Sequence, residues 1–72
     1  MNNTTTPQAI AADIKERAYQ ARISINALMN RAGVANSTLW RWRQPDAPDP
    51  HPVTLGKIMD ALIDAEKGKL HE

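Results

Sequence analysis

Apolar residues return along this chain in helical spacing, and nowhere in the strict alternation of a half-buried strand. Ile10, Ile14, Ala18 and Ala21 recur at intervals of four, four and three, which draws one apolar stripe down a first helix. Thr6 and Pro7 mark its start, because a threonine oxygen can accept a free backbone N–H and proline suits the first helical position. Ile25, Leu28, Met29 and Ala32 form a second stripe. It begins after the capping residue Ser24 and stops at Gly33, which can take the positive φ of a sharp reversal. Val34 then stands where it can plug the gap before the next helix. A third, short helix is expected from about Asn36 to Arg43. The stretch "QPDAPDPHP" holds four prolines and reads as an extended loop. Beyond it Thr54 is the expected cap of a last helix, with Leu55, Ile58, Met59 and Leu62 on its inner face and an end near Lys67. Gly56 inside that helix costs about 1 kcal/mol against alanine unless another helix crosses closely there. The expected fold is all-α, with four or five short helices.

The second and third helices have about two turns each and meet at "RAGVA", the proportions of a helix-turn-helix unit. In the third, Leu39 and Trp42 share a face with Ala35. Asn36, Ser37, Trp40 and Arg41 make the opposite face. One side can enter a core while the other meets a ligand.

Charge sharpens this picture. The net charge is only +1, but residues 17 to 45 carry Arg17, Arg22, Arg31, Arg41 and Arg43 without one carboxylate, between mildly acidic flanks. Such an asymmetry suits a surface that meets phosphate. Seventy-two residues allow a single domain, and the absence of cysteine leaves stability to the packed core and fits a reducing compartment. No apolar run reaches the roughly 18 to 20 residues needed to span a bilayer, and "MNNTTT" lacks the regions of a signal peptide. A cytoplasmic protein is expected.

"RISINALMNRAGVANSTLWRWRQ" followed by "TLGKIMDAL" resembles the lambda-repressor-like helix-turn-helix domains of phage and bacterial regulators, including Cro and Xre-type repressors. The resemblance covers roughly residues 10 to 63. It implies a helix-turn-helix bundle over residues 7–67, between a flexible arm at 1–6 and a tail at 68–72. It also implies core positions at Leu28, Ala32, Val34, Leu39 and Trp42, base-reading positions at Asn36, Ser37 and Arg41, and a phosphate contact at Ser24, where the second helix starts. Ile25 departs from the pattern, since many members carry a DNA-touching polar residue there, and Ala35 replaces a frequent serine cap. The proline-rich loop is longer than in many members. Asp46 and Asp49 should turn it away from DNA or towards another subunit.

Side-chain chemistry points to the same faces. Arginine can donate two hydrogen bonds to guanine, asparagine can pair with adenine, and serine is tolerant. Arg41 and Asn36 are therefore the expected base readers. Arg22 and Arg43 are expected at the DNA backbone, Arg31 as surface charge, and Thr38 as a helix-start residue. Trp42 should enter the core and Trp40 should turn towards the groove of the DNA.

The resulting expectation is a sequence-specific transcriptional regulator, bound as a homodimer to a palindromic operator in double-stranded DNA on the bacterial nucleoid. The last helix, with Ile63 and Leu70, is the candidate dimer surface, and Leu62 is equally a candidate for that surface and for the core. No cofactor, metal, membrane or small-molecule substrate is expected, and no catalysis: His51 and His71 lie far apart, and the glycines at 33, 56 and 68 are isolated. The competing expectation is a small helical protein-interaction module that uses an exposed Trp40.

Overall fold

A computed structural model describes residues 6–68, and among them the chain forms four helices and no strand. They are α1 (Pro7–Gln20), α2 (Ile25–Ala32), α3 (Ser37–Trp42) and α4 (Pro52–Glu66). The all-α class expected from the periodicity is observed. No helix of the described residues is long and apolar enough to cross a membrane. Most of the arm, residues 1–5, and the end of the tail, residues 69–72 with Leu70 and His71, lie outside the described residues.

Local chemistry sets three of the helix starts. Thr6 accepts from the Ala9 N–H at 3.1 Å with Pro7 at the first helical position, and Ser24 accepts from the Ala27 N–H at 3.1 Å. The start of α4 differs from expectation. His51 is its cap, with Nδ1 accepting from the Val53 N–H at 3.2 Å, and Thr54 lies inside the first turn. Pro52 explains the shift: its fixed φ suits the first helical position, so it opens the helix where the sequence pattern assigned it to the loop.

The two reversals that flank α2 are the same turn made with different residues. After α1, the Arg22 N–H bonds Tyr19 O and the Ile23 N–H reaches back to Ala18 O, each at 3.0 Å. After α2, the Gly33 N–H bonds Asn30 O and the Val34 N–H reaches Met29 O. Each turn needs one left-handed residue, and each sends the next apolar side chain, Ile23 or Val34, back onto the core. Gly33 meets the demand at φ 72° without a Cβ, whereas Arg22 meets it at φ 63° with one. That conformation costs an L-residue roughly 1 to 2 kcal/mol. Glycine would in turn lose more backbone entropy on folding. Arg22→Gly should therefore raise stability by about 0.5 to 1 kcal/mol in urea unfolding. A loss of stability would mean that the arginine side chain supports the turn.

The core gathers Ala11, Ile14 and Ala18 of α1, Ile23, Leu28 and Met29, Leu39 and Trp42 of α3, and Ile58, Ala61, Leu62 and Ala65 of α4. Four of these are alanines, whose small side chains suit close packing between helices. Of the expected family core positions, Leu28, Leu39 and Trp42 are buried, and Ala32 and Val34 pack partly buried against them. Ala35 does not share their face. It is exposed because it precedes α3, where the helical period has not yet begun. Leu62 is wholly buried, so it is core and unavailable to a dimer surface, while Ile63 beside it is exposed. No other segment approaches within 4 Å of the position a Gly56 Cβ would take, so no helix crossing accounts for that glycine.

Helices α1 and α4 run side by side in the same direction. Ile10 lies opposite Leu55 and Met59 at one end, and Arg17 reaches Glu66 at the other. Arg17 Nε and Nη2 donate to the two Glu66 carboxylate oxygens at 2.8 and 2.9 Å, a forked geometry that suits guanidinium and carboxylate. The bond raises the Arg17 pKa and holds the Glu66 carboxyl below its usual value. At the other side of α1, the Gln8 side-chain amide donates to Gln44 O and ties the chain beyond α3 to the first turn of α1.

Candidate nucleic-acid interface

Helix α3 is divided lengthwise as its period requires. Leu39 and Trp42 are buried, whereas Asn36, Ser37, Trp40 and Arg41 are exposed. The tryptophans make the contrast plain: Trp42 is 5% exposed and Trp40 62%. A helix turn of 3.6 residues puts positions 40 and 42 about 200° apart, so both cannot enter one core.

Five of the seven expected contact residues fall into connected grooves. Trp40, Asn36 and Arg43 line a shallow groove of about 270 Å³ together with Lys15 of α1 and Ile25 of α2. Trp40 thus borders α1 and α2. Asn36 also lines a second groove with Ser24, Asn26 and Asn30 along α2, of about 510 Å³. Arg22 and Ser24 share a third with Tyr19 and Gln20. Ser24 spends its side-chain oxygen on the α2 cap. Ser37 and Arg41 line none of these grooves and stand free on the outer side of α3.

Tertiary structure redistributes the charge read along the chain. Arg17, counted in the basic segment, is paired with Glu66 and lies 4.0 Å from Asp13, at the α4 side of α1. Arg22, Arg31, Arg41 and Arg43 form no ion pair among the described residues. Lys15, which the linear count set in an acidic flank, lies instead beside Arg43, in a groove of about 540 Å³ with Glu16 and Tyr19. Glu16 weakens the positive potential there. Its carboxylate accepts a hydrogen bond from Gln20 Nε2 at 2.8 Å.

Lys15, Tyr19 and Asn26 were not among the sequence-derived candidates. Tyr19 is the most exposed large apolar side chain, at 78%, and its place on α1 opposite the buried stripe was a signal within the sequence. Lys15 had no such signal, because its proximity to Arg43 depends on how α3 lies against α1. Asn26 stands out only through its partner: Asn36 Nδ2 donates to Asn26 Oδ1.

Among the described residues no three His, Asp or Glu side chains gather into a metal-binding group. Compared with protein-family models, with curated proteins and with solved structures, the chain matches none.

Proposed function

We propose that this chain is a lambda-repressor-like helix-turn-helix regulator of the Cro or repressor type, which binds a palindromic operator as a homodimer on the bacterial nucleoid. The observation that carries the reading is α3 itself: a helix held from below by Leu39 and Trp42, with Asn36, Ser37, Trp40 and Arg41 exposed above. Its approach through the sharp turn at Gly33 fits a reading helix offered to the major groove. Asn36 and Arg41 have the donors and acceptors to discriminate adenine and guanine, and Ser37 accepts either. Arg22, Ser24 and Arg43 stand to the sides, where phosphates of a bound duplex would pass. Trp40 lies between, with its ring available to a thymine methyl or a sugar. Two copies double these contacts and impose half-sites about one helical turn apart. Ile63 on the outer side of α4 remains the candidate contact between copies.

Selection of binding sites from random duplex DNA tests the proposal directly, since it reports specificity and palindromy together. Arg41→Ala should cost about 1 to 3 kcal/mol at the selected site and relax one base position, whereas Arg43→Ala should weaken all sequences nearly alike. Equal, sequence-independent losses from both would remove Arg41 from the reading set. If no duplex is retained even at low salt, the exposed Trp40 and Tyr19 belong to a protein-interaction surface instead.

A further inference from the structure

Gly56 lies inside α4, where glycine is among the poorest helix formers. Neither usual reason for a glycine applies within the chain. Its backbone is not left-handed, and no other element stands within 4 Å of the Cβ it lacks. Gly56 is exposed, and so are Val53, Asp60 and Ile63. At 100° per residue these four fall within an arc of about 80°, on the side of α4 away from the buried Ile58, Ala61, Leu62 and Ala65. Val53 is 60% exposed and Ile63 42%. The glycine thus sits between two exposed apolar side chains on one open stripe.

That stripe is self-complementary under a two-fold axis. When two antiparallel α4 helices are related by an axis level with residue 58, positions equally far on either side of 58 come face to face. Val53 then meets the partner's Ile63, and Gly56 meets the partner's Asp60. Each contact occurs twice. The missing Cβ lets the helices approach where a bulkier residue would hold them apart. Lys57 lies one residue, about 1.5 Å of rise, from the level of the partner's Asp60, on the flank of the stripe. Its ammonium can reach that carboxylate. Within the chain both groups are free, because the ion pairs of the described residues are all made by Arg17. An axis level with residue 60 would instead set the two Asp60 carboxylates against each other and face Val53 with Lys67. Charge therefore selects the register.

We propose that α4 pairs with α4 of a second copy, antiparallel and crossing at Gly56, with Val53 on the partner's Ile63 and Lys57 on the partner's Asp60. The proposal rests on the homodimer named above and gives that dimer a face and a register. One helix face should bury less than the roughly 800 Å² per partner of a stable complex, so the free dimer should dissociate in the micromolar to millimolar range.

Sedimentation equilibrium of the full chain over that range provides the test. Gly56→Ala should act with opposite signs on two readouts. It should raise the unfolding midpoint of the dilute monomer by about 4 to 8 °C, because alanine is the better helix former. It should also weaken pairing by about five- to ten-fold, because the added methyl enters the crossing. Lys57→Asp and Asp60→Lys should each weaken pairing by about five- to thirty-fold at low salt, since each turns two attractive contacts repulsive. Mixed in equal amounts, these two single variants should form a heterodimer within about three-fold of wild-type affinity, and K57D/D60K should recover self-pairing. A dimer that tolerates all three single substitutions, or charge reversals that fail to rescue each other, overturns the interface. A chain that stays monomeric at millimolar concentration overturns it too, even where it selects a palindromic site. A chain that pairs as expected yet selects no duplex keeps this interface and overturns the DNA reading.

Discussion

Replacing Trp42 with alanine is expected to cost about 3 to 5 kcal/mol, as large aromatic truncations in cores do. Trp42 is 5% exposed and reaches the same core as Leu39, the α1 residues Ala11, Ile14 and Ala18, and the α4 residues. It is also the only aromatic side chain in that core. A domain of this length has a stability of about 4 to 11 kcal/mol, so the loss is a large share of the total. Far-UV circular dichroism during urea unfolding should show either a strongly lowered midpoint or no folded baseline. Trp40→Ala, by contrast, removes a ring that is 62% exposed and should change stability by no more than about 0.5 kcal/mol. In a Trp42→Phe variant that still folds, the remaining fluorescence should report a solvated indole that shifts when operator DNA is added. Equal destabilisation by the two alanine substitutions would contradict the division of α3 into an inner and an outer face.

The second large effect concerns salt. Arg22, Arg31, Arg41, Arg43 and Lys15 offer more than enough cations to neutralise two to four phosphates in each half-site. A dimer that neutralises about four to eight phosphates should show a log–log slope of roughly −4 to −7, or a loss of about 10²- to 10⁴-fold in affinity between 50 and 200 mM salt. The structure also says which charges should enter that slope. Removing Arg17 and Glu66 together, as R17A/E66A, deletes a closed pair on the α4 side of α1 and should leave the slope unchanged. Lys15→Ala should lower its magnitude by up to about one unit per subunit, because Lys15 shares its groove with Arg43 and Trp40. Fluorescence anisotropy with a labelled duplex measures both. Affinity that ignores salt would sink the DNA reading, and an unchanged slope for Lys15→Ala would confine the phosphate contacts to α2 and α3.

These charges also show where a linear reading stops. Counted along the chain, Arg17 belongs to the basic segment and Lys15 to an acidic flank. In space the assignments exchange. Arg17 finds its carboxylate 49 residues away, and Lys15 faces Arg43 across α1 and α3. Screened electrostatic interactions depend on separation in space over about 10 Å, which sequence distance does not record. The candidate dimer surface met the same limit. Leu62 and Ile63 are neighbours of similar hydropathy; the helical period sets Leu62 in line with Leu55, Ile58 and Met59, and the packing of α4 against α1 and α2 buries it wholly while Ile63 stays exposed.

Sequence by itself determined the helices and the inner and outer faces of α3, because both arise from interactions within a few residues. Thr6, Ser24 and Gly33 satisfy or terminate backbone hydrogen bonds next to them, and the helical period alone separates Trp42 from Trp40. Where two local signals competed, as Pro52 and Thr54 did at the start of α4, the fixed φ of proline prevailed. Tertiary structure alone decided which arginine is paired and which asparagine meets Asn36. Those outcomes depend on how helices lie against one another, and that arrangement is set by the fit of the whole core and not by any one segment.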